Sequence, residues 1–296
     1  MWKILFATMV GGLAILASPI ASAQTSTEAP PASTLEYLPA LAGAYFPIKA
    51  QATGRTYHIS VRLPENYGAD PKRHYPVVYV LDGDSLFPIL AATHLFLTID
   101  DKMPEAIIVG ICYGSFDPAI NKRSIDFTPP AKDLPNWAEG GGAPAFQQFL
   151  KRELLPAVET RFRVDPSKRV LFGQSRGGAF VLYSAFTDPD LFWGRIASSP
   201  SLRPTRDFFY GIPAAATRKD LKLFVAEGPG DLPALRAETV PWLDAWKTRA
   251  GKPWALIPIS IPDGTHSANS PDAYRTAMRQ LLGWQGDTAA RGSPDH

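Results

Sequence analysis

The chain has 296 residues, 45% of them hydrophobic and 20% charged, with 30 Lys and Arg against 28 Asp and Glu. That composition excludes intrinsic disorder and coiled coil, and it lacks the broad basic field of a general nucleic-acid binder. Its 29 Pro and 23 Gly break the chain often, yet stay below the roughly 25–30% typical of low-complexity segments.

Lys3, the apolar stretch 4–17 and the small-residue site Ala21-Ser22-Ala23 form an export signal over residues 1–23. They predict a periplasmic or secreted protein with no stable membrane association after cleavage near Ala23. A retained anchor is the alternative, but the stretch is shorter than the ~20 residues a span needs. Residues 24–44 read as a flexible leader, 45–284 as one folded domain and 285–296 as a disordered tail. The single cysteine, Cys112, excludes an internal disulfide, and its apolar run reads as a buried strand.

Residues 57–63 alternate and predict an early strand. Runs at 75–81, 106–111, 169–172, 195–198, 221–226 and 254–259 are nearly continuously apolar, the mark of strands buried on both faces. Between them, 143–161, 177–186, 235–249 and 273–282 carry helical spacing. Strands alternating with helices predict an α/β fold, a mostly parallel central sheet with helices on both faces. No repeat or linker divides the chain. The stretches 115–142 and 201–220 are long and irregular, and such loops are usually functional.

One segment carries chemistry. Gly173-Gln174-Ser175-Arg176-Gly177 is a G-x-S-x-G between a strand and a helix, the context that holds a serine nucleophile on a strained turn. A serine needs a base. Of the five histidines, His266 alone follows the last apolar strand and precedes the last helix, where a parallel sheet presents its loops. The acid that orients it should follow the preceding strand, where Asp231 and Glu227 compete and a Ser–His dyad is a further option. Oxyanion donors are expected from the backbone N–H of Arg176 and of Asp84, in the loop Asp82-Gly83-Asp84. Asp82 would hold that loop or touch substrate, and ordinary turn chemistry is the alternative for both aspartates. No cluster has metal-ligand spacing, so no cofactor and no metal are expected.

These residues resemble the esterase family of α/β hydrolases that includes enterochelin (siderophore) esterases, S-formylglutathione hydrolases, feruloyl and acetylxylan esterases, and mycolyltransferases. The landmarks, in order, are Tyr75 to Gly83, Ile108 to Ile111, Arg123-Ser-Ile-Asp126-Phe-Thr-Pro129, Phe172 to Gly178, Leu191 to Gly194, Ser199 to Leu202, and Asp263-Gly-Thr-His266. The resemblance covers roughly residues 45 to 283 and leans toward the enterochelin-esterase branch. It implies the α/β-hydrolase fold, Ser175 as nucleophile, His266 as base, and the acid at Asp231, since Gly228-Pro-Gly-Asp231 fits the family's G-x-x-[DE] position. Arg176 departs from the Leu, Met or Tyr of many relatives. It would favour an anionic substrate or pair with a nearby carboxylate.

The function expected is an exported serine carboxylic-ester hydrolase working through an acyl-enzyme on a small-molecule ester. A siderophore triester leads as substrate, with Arg123, Arg176, Arg203 and Arg206 to meet its negative charge. Their alternative is solvated charge, with Arg123 locked to Asp126. Feruloyl or acetyl-carbohydrate esters, acyl transfer, and a catalytically silent binding protein of the same fold remain as alternatives. Phe116, Phe127, Trp137, Phe208, Phe209 and Tyr210 would suit an aromatic acyl group.

Overall fold

The computed structural model describes residues 43–131 and 140–283. The predicted export signal, residues 24–42 of the leader, Trp137 and the tail from 285 lie outside the described residues. Eight strands form one sheet: β1 (Gly43–Lys49), β2 (Thr56–Arg62), β3 (Tyr75–Val80), β4 (Ile107–Cys112), β5 (Val164–Gln174), β6 (Gly194–Ser198), β7 (Lys222–Glu227) and β8 (Ala255–Ser260). Their spatial order is β1-β2-β4-β3-β5-β6-β7-β8. β1 pairs antiparallel with β2 and β2 with β4, while every pair from β4 across to β8 is parallel.

Alternation along the strands builds two cores. Val77, Tyr79, Val109, Leu223 and Val225 face one side, and Val78, Val80, Ile108, Phe224 and Ala226 the other. Both faces need cover, because each exposed Val, Leu or Phe would forgo about 1.5–3 kcal/mol of burial. Helices supply it. α1 (Gly83–Ile99) and α7 (Asn269–Leu282) cover the second face. The short α2 (Arg123–Asp126), α3 (Ala143–Phe149), α4 (Leu155–Arg161), α5 (Arg176–Thr187) and α6 (Pro233–Thr248) complete the set. Phe146, Phe149, Phe180 and Trp242 carry α3, α5 and α6 into the first core. Gly110 leaves room for α1 to approach β4, since a Cβ there would lie 2.6 Å from Phe87 Cβ.

Four sequence expectations change. β8, expected to be buried on both faces, is an edge strand in which Ile259 alone is buried, because among the described residues no strand covers its outer side. The predicted helix 143–161 is two helices joined by a π-helical turn, Leu150–Leu154. β1 begins at Gly43, two residues inside the expected leader. β5 begins at Val164, earlier than the apolar run 169–172, because its first half is polar (Asp165, Ser167, Lys168) yet joins β3 at Tyr75 before a register shift.

Candidate active site

The parallel strands end together, and their following loops gather the expected residues. Ser175 sits between β5 and α5 at φ 59 and ψ −115, a backbone that a Cβ-bearing residue rarely adopts. The turn closes only around small residues. A Cβ on Gly173 would lie 2.3 Å from the Gly177 carbonyl oxygen, and one on Gly178 would lie 3.0 Å from that of Ser198. The Ser175 N–H donates to the Ser198 carbonyl at 2.9 Å, tying the turn to β6.

His266 follows β8 and Asp231 follows β7. His266 Nδ1 and Asp231 Oδ1 are 2.8 Å apart, and the Asp231 side chain is 3% exposed. The Leu232 N–H donates to the same oxygen at 2.7 Å. Backbone pairing holds the two loops together, with the Gly230 N–H donating to the Gly264 carbonyl at 2.9 Å. A Cβ on Gly228 would lie 2.5 Å from that carbonyl oxygen, so only glycine lets the loops meet. Glu227 takes another course: its carboxylate meets Arg236 at 3.3 Å. Of the two competing acids, Asp231 is the one beside the histidine.

Ser175 and His266 line one pocket of about 410 Å³, together with Gln174, Asp84 and Arg123. No hydrogen bond joins Ser175 to His266 among the described residues. Gln174, which sequence reasoning passed over, bridges them indirectly. Its Nε2 donates to the His266 carbonyl, and its Oε1 accepts from the Ser270 hydroxyl at 3.1 Å. The signal was a polar residue closing the apolar run Val170-Leu171-Phe172 at the end of β5.

The N–H groups of Arg176 and Asp84 each stand in the first turn of a helix, and no carbonyl among the described residues accepts from either. The Asp84 carboxylate faces the other way. It accepts from the N–H groups of Tyr113 at 2.7 Å and Gly114 at 2.8 Å, fixing the loop after β4. Asp82, at φ 53, receives a two-pronged contact from Arg123, Nε at 2.6 Å and Nη2 at 2.8 Å. Arg123 is therefore not locked to Asp126. That carboxylate is buried and meets Arg55 at 2.8 Å, Tyr57 at 2.7 Å and Tyr113 at 2.9 Å. Arg203 and Arg206 both turn to Glu238, at 2.7 and 2.9 Å. Arg176 Nη1 reaches the Thr128 hydroxyl at 3.3 Å.

Of the aromatic residues expected near substrate, Phe116 lines the pocket, 73% exposed. Phe127 and Phe209 are buried in the first core, with Phe208 and Tyr210 packed against it. Burial pushes the Cys112 thiol up to about 12, with Asp84 adding to the effect, so it is an inert strand residue. Among the described residues no group of three or more His, Cys, Asp or Glu could hold a metal ion. None of the described helices is long and apolar enough to cross a membrane.

A family model described as "Putative esterase" matches residues 50–270. The chain is similar to the ferri-bacillibactin esterase BesA of Bacillus subtilis, 36% identical over 168 residues, 52% of this chain and 56% of that protein. It is 32% identical over 158 residues to the apo-salmochelin esterase of Escherichia coli O6:H1, covering 50% of this chain and 48% of that one. The chain thus spans about half the length of the curated relatives it matches. Among solved structures, an IroE-like serine hydrolase from Shewanella oneidensis superposes with TM-score 0.69 at 26% identity, covering 81% of this chain and 80% of that one. Siderophore hydrolase EstB from Aspergillus nidulans gives TM-score 0.69 at 21% identity over 82% of this chain and 95% of that one, a likeness of fold.

Proposed function

The chain belongs to this esterase family, and from that premise we propose that it is an exported serine carboxylic-ester hydrolase acting on a siderophore triester. The observation that carries the reading is the 2.8 Å contact between His266 and buried Asp231, in a pocket His266 shares with Ser175.

Ser175 Oγ gives its proton to His266 Nε2 as it attacks the ester carbonyl carbon. The hydrogen bond between them forms as substrate closes the site, as such bonds tighten in the bound complex. Asp231 accepts from Nδ1–H, which leaves Nε2 free to act as base and stabilises the imidazolium that follows. The free N–H groups of Arg176 and Asp84 take the negative charge that develops on the carbonyl oxygen. The alcohol leaves with the proton from His266, and an acyl-enzyme remains on Ser175. Water, giving its proton to His266, then releases the acid.

Relatives named for siderophore esters support that substrate class. The pocket lies at the lower end of ligand-site volumes, roughly 300–1,000 Å³, room for one ester arm with the rest at the mouth. Residues 1–23 carry the export reading, and N-terminal sequencing of protein recovered outside the cytoplasm should begin at Gln24.

The test is incubation of the purified protein and its Ser175→Ala variant with ferric enterobactin and with p-nitrophenyl butyrate, following products by mass spectrometry. Cleavage of both by the unmodified protein and neither by the variant is the expected result. Cleavage of the small ester alone moves the substrate to feruloyl or acetyl-sugar esters. If neither is cleaved and a fluorophosphonate leaves Ser175 unlabelled, the hydrolase reading falls.

A further inference from the structure

Four arginines are candidates to meet a charged substrate, and three already have carboxylate partners. Arg123 holds Asp82 with both prongs. Arg203 and Arg206 share Glu238. Arg176 differs. Among the described residues its side chain has one partner, the uncharged hydroxyl of Thr128, at the long distance of 3.3 Å.

That guanidinium is half-buried. Burial, and then the neighbouring Arg123, pull its pKa below the ordinary arginine value. A cation partly withdrawn from water beside a like charge raises the free energy of the empty site, and an arriving anion would offset that cost. Arg176 follows Ser175 in the chain, and its guanidinium, reaching Thr128 and neighbouring Arg123, stands at the edge of the pocket rather than in its lining. Arg123, which the Asp82 carboxylate neutralises, lines the pocket. Elsewhere on the pocket wall Ile89 and Phe116 are exposed, at 47% and 73%. An apolar wall and an unmatched guanidinium define a ligand with a carbon body and a negative end.

We propose that Arg176 binds a carboxylate, or a similar group of anionic oxygens, on the ester substrate, so that the preferred esters carry a negative charge a few bonds from the scissile carbonyl. This rests on the ester-hydrolase reading above and adds to it the charge of the substrate and the residue that reads it. Arginine suits the role because its fork meets two oxygens at once, which lysine does not do.

The experiment compares esters matched in length. p-Nitrophenyl hexanoate and mono-p-nitrophenyl adipate differ only in ending in a methyl or a carboxylate. Phenyl butyrate and 4-carboxyphenyl butyrate place the charge on the alcohol side instead. For at least one pair the unmodified protein should give a charged-to-neutral ratio of kcat/KM that is about tenfold higher than in Arg176→Gln. The ratio should shrink as salt is raised from ~0.01 to ~1 M, over which the screening length falls from about 30 to about 3 Å. Arg176→Lys should keep part of the preference. A ratio unchanged by Arg176→Gln in both pairs overturns the inference and leaves the hydrolase intact. If Arg176→Gln does not fold, the salt series on the unmodified protein decides, and a salt-independent ratio in both pairs overturns it. Failure of the unmodified protein to cleave any of the four esters removes the hydrolase reading and this inference with it.

Discussion

Two carboxylates could have stood beside His266, and the fold brings one of them there. Asp231 is buried against His266 Nδ1, whereas Glu227 is spent on Arg236. Asp231→Asn should therefore lower kcat for p-nitrophenyl butyrate by about 10³–10⁴-fold, because an amide there favours the wrong tautomer. Glu227→Gln should leave kcat near that of the unmodified protein; the reverse pattern would make Glu227 the acid. Gln174 acts at one remove. Its amide ties the end of β5 to the His266 backbone and to Ser270. Gln174→Leu should lower kcat about tenfold or more with little change in KM, since misplaced groups lose rate before they lose binding. An equal effect on both would make the residue merely structural. Strand–loop–helix order pointed to Ser175 and His266, which line one pocket, whereas the preference for Asp231 over Glu227 came from the resemblance to the esterase family, and Asp231 lies beside the histidine. The Arg123–Asp82 contact was not, because nothing local joins residues 41 apart, and Asp126 looked the nearer partner until the fold turned it toward Tyr57 and Tyr113.

At the scale of elements, the central parallel strands could be read directly, since burial on both faces leaves an unbroken apolar run. β1 could not, because an edge strand covers one face only and its pattern is interrupted by Pro47. β6 shows a different limit. Arg195 is the one charged residue of the strand, and it is 1% exposed. It donates to the carbonyls of Asp188 at 2.7 Å, Pro189 at 2.8 Å, Phe192 at 2.9 Å and Ser184 at 3.2 Å. Burial pushes its pKa down to about 9. The side chain thus closes the turn between α5 and β6, a role visible only once that turn exists. Arg195→Met should cost about 2–4 kcal/mol in urea unfolding, since several buried carbonyls lose their donor together. A loss under about 0.5 kcal/mol would mean that water replaces it.

Across the whole molecule, α1 and α7 meet through a buried pair. His94 Nδ1 and the Tyr274 hydroxyl lie 2.9 Å apart. Burial, with Arg62 adding, pushes the His94 pKa down to about 4 from 6.5. The unfolded chain therefore binds a proton between those values that the folded chain refuses. Stability falls as pH drops through about 6.5 and levels off near about 4. From pH 7 to pH 5 the loss due to His94 should be about 2 kcal/mol. His94→Gln, compared with the unmodified protein at both pH values by urea unfolding, should remove that share of the slope; an identical slope would exclude His94 as its source.

The sheet order has one more consequence. Ser175, Asp231 and His266 all follow strands β5, β7 and β8, while Asp84, Arg123 and Phe116 come from the chain before β5, and the two sets meet where β3 lies beside β5. The proposed nucleophile, base and acid are thus encoded in the second half of the polypeptide, and much of the pocket's wall in the first. With the Asp84 backbone held in place, the wall contributed by Arg123 and Phe116 can change while Ser175, Asp231 and His266 stay as they are.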